Sequence, residues 1–549
     1  MKIALAQLNY IVSHFEYNHN KMADAIEKAK NGGADLIVFS ELSICGYPPH
    51  DLLEKREFFD TCMLWVNKLA ELSKDIAIIV GSPSLNENPR GKRLHNSAFF
   101  LNNGKIEKVF NKTLLPTYDV FDEYRYFEPN SNFDILEFKG KKFAVTICED
   151  IWEKQPVLNP FAQSRLYSVV PMEQIIKLEP DMLINIAASP FSYVQDGTRK
   201  RVLKLNAEKY NIPAIYVNQV GANTELVFDG NSMAIDGKGN LALQCKRFEE
   251  DIQIIDTDHM DVEPLVIPEK TDHIPVIHDA LILGIRDYFD KMGFKKATLG
   301  LSGGIDSAVT LVLAERALGA ENLRVLLMPS QFSTDHSIKD AVDLAENLGI
   351  EYDILSIKDI YKQFEDTLAP VFKNLPFNVA EENIQARMRG TLVMAISNKF
   401  GHILLNTSNK SEAAVGYGTL YGDMNGGLSV LGDVYKTDVF KLAWYINKSS
   451  EIIPHNTIVK PPSAELRPDQ KDSDSLPEYD ILDGILFNYI ELNRSPQEIE
   501  SLGYDRATID KTIRLVNVNE YKRFQTPPIL RISSKAFGFG RRMPLVAKY

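Results

Sequence analysis

Ser302-Gly303-Gly304-Ile305-Asp306-Ser307 follows the apolar run Ala297-Thr298-Leu299-Gly300-Leu301 and precedes the helical run Ala308 to Leu318. A strand that turns through two glycines into a helix N-terminus presents backbone N–H groups and a partial positive dipole, which suits a phosphate. No Gly-Lys-Ser/Thr follows the glycines, so the loop is not of the Walker type; an acid, Asp306, stands before the helix instead. Asp and Ser are also ordinary helix-start residues, so the hexamer alone also reads as a capped turn. Nucleotide chemistry is the first expectation, and the surroundings must decide it.

Outward from the hexamer, strands and helices alternate. A helix near Val276 to Met292 precedes it. After it come a strand Leu323 to Met328, a helix near Thr334 to Leu348, a strand Tyr352 to Ser356, a long helix near Ala380 to Lys399 and a strand His402 to Asn406. This alternation predicts an α/β domain with a doubly wound, Rossmann-like parallel sheet, whose ligands sit at the carboxyl ends of the strands. Pro461 to Pro477 is a polar loop long enough to be a lid or a mobile segment. Asp258 to Pro275 is rich in Pro, His and acid and lacks a sustained period. The expected division is therefore a domain 1–258, a linker 259–275 and a domain 276–549.

The first domain alternates short β-rich runs with helical stretches. The runs are Lys2 to Leu8, Asp35 to Ser40, Ile76 to Gly81, Ser97 to Leu101, Phe143 to Cys148, Met182 to Ala187, Ala214 to Val220 and Ser232 to Ile235. Turn signals between neighbours predict much antiparallel pairing in an α/β sandwich.

Composition narrows the class. A chain of 549 residues exceeds one core, while 44% hydrophobic and 25% charged residues are ordinary globular values. A net charge of −13 disfavours nonspecific binding to nucleic acid or an anionic membrane. Cys45, Cys62, Cys148 and Cys245 show no CxxC spacing, which points to a reducing cytoplasm. The apolar stretch of MKIALAQLNYIVSHFEYNHN is too short for a signal sequence, and no run approaches membrane-spanning length. The expectation is an unexported cytoplasmic protein with no nucleic-acid or membrane partner.

Three residues of the first domain stand at strand ends or just beyond them: Glu41 after LIVFS, Lys112 in VFNKTLLP and Cys148 after FAVTI. A thiol needs a base and a positive neighbour to attack at neutral pH, and these three supply the parts. Singly, each has an ordinary structural explanation, such as a small core cysteine or a solvated lysine. The case rests on the combination. With its local sequences FSELSICGYPPHDLL, NKTLLPTYDVFDEYRYFEP and TICEDIWE, it resembles the nitrilase superfamily and the glutamine amidohydrolase domains within it.

That resemblance implies a four-layer αββα sandwich. It makes Glu41 the general base and Cys148 the nucleophile on the glutamine side-chain amide. Lys112, with the backbone N–H of Glu149, then stabilises the oxyanion. It also implies glutamine contacts at Tyr118, at Ser189 in NIAASPF and at Gln195. Relatives usually carry a basic residue at that last place, so Arg199 or Arg201 is a candidate anchor for the glutamine carboxylate. The stretch between Trp152 and Met182 is longer than the resemblance predicts.

In the second domain EENIQARMRG lies at Glu381 to Gly390, NTSNKSEAAVGYGTLYGD at Asn406 to Asp423 and EYKRFQTP at Glu520 to Pro527. Asn383, Arg387 and Arg389 could face a ligand, though the same pattern suits an amphipathic surface helix. Glu412 adds a second carboxylate to Asp306, and two oxygen ligands suit Mg²⁺, which keeps phosphate oxygens and water as well. The hexamer resembles the loop of the ATP-pyrophosphatase superfamily, and the motifs in this order resemble the NAD synthetase family in its glutamine-dependent form.

The resemblance implies that Gly300, Leu301, Ser302, Gly303, Gly304, Ile305, Asp306, Ser307, Thr407 and Lys436 bind ATP. Asn383, Glu412 and Lys522 contact deamido-NAD, and Asp306 and Glu412 hold Mg²⁺. The implied reaction adenylates deamido-NAD with ATP and displaces AMP with ammonia released from glutamine, in a homo-oligomer. The alternatives are an adenylating amidoligase with another acceptor, a tRNA-modifying enzyme of the loop superfamily, and a nonenzymatic nucleotide-binding protein. The absence of cysteines after Cys245 and the acidic charge count against the second, and the intact site residues against the third.

Overall fold

The computed structural model describes residues 1–153, 166–267, 272–373, 375–468 and 470–548. The chain divides into two compact units, Met1–Thr271 and Asp272–Tyr549.

The first unit is built on two six-stranded sheets. One contains β1 (Lys2–Gln7), β2 (Leu36–Val38), β3 (Ala77–Leu85), β4 (Leu94–Asn102), β5 (Lys105–Asn111) and β14 (Asp251–Asp256), in the order β14-β1-β2-β3-β4-β5. The other contains β6 (Leu136–Phe138), β7 (Lys141–Ile147), β8 (Met182–Ala187), β9 (Ala214–Asn218), β12 (Met233–Ile235) and β13 (Leu241–Gln244), in the order β13-β12-β9-β8-β7-β6. A separate hairpin joins β10 (Val220–Asn223) to β11 (Leu226–Asp229). Alternate residues of β1 face opposite ways, as the period of a strand requires. Ile3 and Leu5 join the core between the sheets, with Val38, Ile79, Phe143 and Ile184, while Ala4 and Ala6 face the helices.

Those helices are α1 (Phe15–Asn31) and α2 (Arg56–Ala70), which bury Met22, Ile26, Val66 and Leu69 against the outer face of the first sheet. On the other side, the short α3 (Pro171–Ile175) and α4 (Asp196–Tyr210) cover the second sheet through Ile175, Leu203 and Ala207. The layers run αββα. Where the sequence predicts a strand through Cys148, β7 stops at Ile147, because Cys148 turns into the left-handed region with φ 46°. The strands β5, β6, β11, β13 and β14 have no counterpart among the predicted runs; β5, for example, alternates charge with apolar residues too weakly buried to stand out.

The second unit holds one five-stranded sheet of β15 (Ala297–Gly300), β16 (Leu323–Leu327), β17 (Glu351–Ile354), β18 (Ile403–Asn406) and β19 (Leu428–Ser429), in the order β17-β16-β15-β18-β19 with every pair parallel. Strand order reverses between β15 and β18, which opens a crevice at their carboxyl ends. Helices α5 (Ile274–Met292), α6 (Ile305–Leu318), α7 (Asp335–Leu348), α8 (Lys358–Phe372), α9 (Val379–Phe400), α10 (Lys410–Val415) and α11 (Lys436–Ile446) connect the strands or follow them. The helix α8 has no counterpart among the predicted elements, since its pattern carries only one buried residue, Tyr361, and a proline, Pro370. Among the described residues no helix is long and apolar enough to cross a membrane.

Candidate active sites

In the first unit, Lys112 follows β5, and its backbone N–H donates to the carbonyl of Asn96 on β4 at 2.8 Å. Its side chain is fully buried, with Nζ 2.7 Å from Glu41 Oε1 and 2.7 Å from Glu123 Oε2. Glu41, also fully buried, receives Asn96 Nδ2 at 2.7 Å on Oε1 and the Ala188 N–H at 2.9 Å on Oε2. Burial pulls the Lys112 ammonium down, but the charges of Glu123 and Glu41 prevail and hold it well above its ordinary value. It therefore remains a cation.

Cys148 sits at the start of a tight turn, Cys148–Ile151, directly after β7. Its φ of 46° stores strain of about 1–2 kcal/mol for a non-glycine residue, the arrangement that lifts a nucleophile out of a strand-to-helix corner. Burial, then the charge of Glu41, pushes the thiol well above its ordinary value, with Lys112 opposing. The resting group is a thiol, so attack requires a base, and Glu41 lies within its electrostatic reach. Asp150 fixes the corner by accepting N–H groups of Thr113 (2.9 Å), Leu114 (2.8 Å) and Ile147 (3.1 Å). That single carboxylate ties the segment after Lys112 to the turn that carries Cys148.

Glu123 and Asp150 escape a reading of the sequence. Both lie inside the quoted motifs, but a glutamate in DEYRYFEP looks like any exposed acid until folding buries it to 5% exposure. Tyr118 donates its hydroxyl to both oxygens of Glu149, at 2.9 and 3.0 Å. Ser189 lies just beyond β8, with its N–H donated to Asn218 Oδ1 at 2.9 Å. Gln195 is half-buried at the start of α4, where its carbonyl accepts the Arg199 N–H. The two arginines offered for the missing basic residue stand in different settings. Arg199 is buried with Nη2 2.7 Å from both oxygens of Asp229, which also receives Arg247, while Arg201 is exposed. In the long Trp152–Met182 stretch, residues 154–165 lie outside the described residues.

In the second unit, β15 leads through Leu301 to Gly304 into α6. Gly303 has φ 79°, and a Cβ there would lie 2.2 Å from the Ser337 carbonyl oxygen, so the turn requires glycine. Ser307 Oγ donates to the Gly304 carbonyl at 3.0 Å and stands 3.1 Å from Ser302 Oγ, while the Gly304 N–H donates to Ser302 Oγ at 3.1 Å. These hydroxyls hold the loop open as a backbone cradle.

Across the crevice, α10 begins with a capping box in which Asn409 and Glu412 satisfy each other's backbone N–H groups. Asn409 also donates to Asp306 Oδ1 at 2.9 Å. Lys436, at the start of α11, places Nζ 2.5 Å from Asp306 and 3.4 Å from Glu412. Burial and the neighbouring Asp306 charge push Glu412 up to about 8, against Lys436. Thr407 follows β18 half-buried. Asn383 accepts the Thr419 hydroxyl at 2.7 Å, and Lys522 donates to the carbonyls of Gly416 and Gly418 at 2.7 and 2.8 Å. Both therefore meet the segment that follows α10. Arg389 is turned to the Met328 carbonyl, and burial lowers it to about 10, whereas Arg387 is exposed and donates to the Leu420 carbonyl.

Among the described residues no group of three or more His, Cys, Asp or Glu side chains is placed to hold a metal ion. The pair Asp306 and Glu412 does fit one demanding few protein ligands, since both carboxylates already converge on a cation, the Lys436 ammonium. A cavity of about 650 Å³ opens near Phe332, Phe377, Val379, Glu382 and Arg467, between the start of α9 and the polar loop Pro461 to Pro477.

The family model for carbon-nitrogen hydrolases matches residues 2–158, and that for NAD synthase matches residues 277–526. The glutamine-dependent NAD(+) synthetase of a Synechocystis strain is 44% identical over 100% of this chain and 99% of its own. That of Acinetobacter baylyi is 42% identical over 99% of this chain and 98% of its own. A solved glutamine-dependent NAD+ synthetase from Acinetobacter baumannii, in complex with ADP, superposes with a TM-score of 0.77 at 40% identity, covering 99% of this chain and 98% of that one. The enzyme from Cytophaga hutchinsonii shares the fold, with a TM-score of 0.82 at 21% identity over 100% of this chain and 98% of that one.

Proposed function

The chain belongs to the glutamine-dependent NAD(+) synthetase family, and from that premise we propose how its residues divide the work of making NAD with glutamine as nitrogen donor. Glu41 takes the thiol proton of Cys148 as the sulfur attacks the side-chain amide of glutamine. Lys112 and the Glu149 N–H face the developing oxyanion. The leaving ammonia receives its proton from Glu41, and water, activated by the same carboxylate, releases glutamate from the thioester.

In the second unit, the backbone cradle from Gly300 to Ser307 holds the β- and γ-phosphates of ATP, with Thr407 and Lys436 beside them. The nicotinate carboxylate of deamido-NAD attacks the α-phosphate, and diphosphate leaves toward the cradle. Ammonia then displaces AMP from the adenylate. Asn383 and Lys522 contact deamido-NAD, and Glu412 lies between the two substrates. Asp306 and Glu412 would hold Mg²⁺, which when bound neutralises charge on the phosphate oxygens. Copies of the chain associate, consistent with the exposed row Val371, Leu375, Phe377 and Val379, whose apolar side chains are at least 49% exposed.

The observation that carries the residue assignment is the convergence of Glu41 and Lys112, 71 positions apart in sequence, at 2.7 Å in a buried site that also holds Cys148. The test is to supply deamido-NAD, ATP and Mg²⁺ with either glutamine or ammonium to the protein and to Cys148→Ala. The variant should form NAD from ammonium alone. NAD formation from glutamine by Cys148→Ala would remove the assignment, and failure of the unmodified protein with both donors would remove deamido-NAD as acceptor.

A further inference from the structure

β8 reads Met182-Leu183-Ile184-Asn185-Ile186-Ala187, an apolar central strand with one amide side chain in it. Asn185 is fully buried. A buried amide is costly unless it is hydrogen-bonded, so its partners show what it does. β8 lies parallel to β7, with Asn185 opposite Thr146. Nδ2 of Asn185 donates to Thr146 Oγ1 at 2.9 Å and to the Cys148 carbonyl at 3.4 Å. Those partners also fix which way the amide points. The Thr146 hydroxyl gives its proton to the Ile184 carbonyl at 3.3 Å, which leaves its oxygen to accept, and a backbone carbonyl can only accept. Both neighbours therefore require the NH₂ end of Asn185.

The Cys148 carbonyl has use for such a donor. The ladder between β7 and β8 ends at the pair Ile147 and Ile186, and the left-handed φ of Cys148, 46°, turns the next peptide unit out of the sheet. A buried carbonyl taken out of a ladder is satisfied from a side chain instead. That peptide unit joins the carbonyl of Cys148 to the N–H of Glu149. It is a rigid trans plane in which the C=O and the N–H point in opposite directions, so a donor that holds the carbonyl on one side aims the N–H to the other. The Glu149 N–H is the group assigned above to the oxyanion, beside Lys112. A tilt of the plane would swing this N–H off the line on which its hydrogen bond is strong, and the bond weakens steeply once its angle falls below about 120°.

We infer that Asn185 is a positioning residue for glutamine hydrolysis: by gripping the Cys148 carbonyl it aims the Glu149 N–H at the oxyanion. The inference rests on the glutaminase reading of Cys148. In the step it serves, a bond forms between sulfur and the amide carbon, the carbonyl π pair moves onto oxygen, and the thiol proton goes to Glu41. The negative charge exists only from that moment, so a donor aimed at it adds to the rate and little to the binding of glutamine. The same turn supplies a control. Asn206 of α4, also buried, donates Nδ2 to the Ile151 carbonyl at 2.8 Å. It grips the far end of the turn and touches no peptide unit assigned to the oxyanion. A general loosening of the turn should follow from losing either asparagine, whereas loss of aim should follow from losing Asn185 alone.

The test measures glutamate release by full-length Asn185→Leu and Asn206→Leu. Outright loss of an oxyanion donor costs about 100- to 1,000-fold in kcat, and a misaimed donor keeps part of its effect, so Asn185→Leu should lose about 10- to 100-fold. Its KM for glutamine should stay within about threefold, as expected when an interaction of the transition state alone is removed. Asn206→Leu should keep its kcat within about threefold. Alkylation of Cys148 by iodoacetamide, followed by the mass of the peptide that carries it, forms a sulfur–carbon bond and expels iodide without any oxyanion. Its rate in Asn185→Leu should therefore stay within about threefold of the unmodified protein while kcat falls. Asn185→Ser, whose hydroxyl is too short to reach the turn, should repeat the split.

A kcat within about threefold of the unmodified protein in either Asn185 variant overturns the inference and leaves the glutaminase intact. Alkylation that falls as far as kcat does the same, as does an equal loss in Asn206→Leu. If neither Asn185 variant binds glutamine when combined with Cys148→Ala, the asparagine serves the fold alone and the inference fails. No glutamate from the unmodified protein overturns the glutaminase reading itself, and this inference with it.

Discussion

Glu123 offers the sharpest test of the proposed electrostatic design, because it shares Lys112 with Glu41, the proposed base. Removing one partner of a buried ion pair outright costs about 3–5 kcal/mol. In Glu123→Gln a carbonyl oxygen still accepts from the ammonium, so the fold should keep most of that stability, and the separate expectation for the reaction is a loss of about 2 kcal/mol of transition-state stabilisation, close to 30-fold in rate. The loss falls on glutamine hydrolysis because Lys112, no longer held between Glu41 and Glu123 at 2.7 Å each, relaxes toward the base and blunts it. Burial, moderated by Lys112, places Glu123 at about 7, so the unmodified protein carries this charge above that pH and loses it below. Its kcat/KM for glutamine should therefore fall as pH drops through 7 and level near the value shown by Glu123→Gln, because a protonated glutamate and a glutamine carry the same charge. The variant should lack that limb of the profile. The assay is glutamate release from pH 5.5 to 9, beside ammonium-driven NAD synthesis. A variant within threefold of the unmodified rate at pH 8, or one whose ammonium-driven rate falls equally, would refute the reasoning.

Gly303→Ala places a Cβ 2.2 Å from the Ser337 carbonyl at a φ of 79°, so ATP-dependent diphosphate release should fall at least 100-fold while glutaminase activity persists; diphosphate and glutamate assays on one sample check both. Arg201→Ala should leave the KM for glutamine within twofold, because the side chain is exposed on α4, and a tenfold rise in KM would make it the carboxylate anchor after all. Lys410→Met takes from the buried acids Asp433 and Glu491 the ammonium that pairs with both, so the second unit should lose about 3–5 kcal/mol in denaturant titration. An unchanged midpoint would show that those acids take up protons without cost.

The boundary between what the sequence disclosed and what it withheld follows the range of the interactions. The parallel sheet of the second unit was legible because buried strands such as Leu323–Leu327 are continuous apolar runs, and because glycines mark the turn at the hexamer. Strands of low burial, such as Lys105–Asn111 and Leu241–Gln244, left too weak an alternation to be found, and Lys358–Phe372 hid behind an internal proline. Glu41, Lys112 and Cys148 were legible as a set of reactive residue types at strand ends, but their surroundings were not.

The long-range partners of Glu123, Asp150 and Asn409 leave no mark in their local sequence: Glu123 acts on a lysine 11 positions away, Asp150 on N–H groups 36 and 37 positions away, and Asn409 on an acid 103 positions away. Asp306 and Glu412 show the same limit from the other side. Each looked like a metal-facing carboxylate in its own motif, yet only the fold reveals that Lys436 lies between them. An ammonium in that position can answer both charges by itself and turn to phosphate when a divalent ion displaces it. Lys436→Met should therefore leave two adjacent acids uncompensated and weaken ATP more than it weakens the ion. The check is titration of Mg²⁺ and of ATP separately into the full-length variant, where equal weakening of both would show that the lysine serves the acids alone.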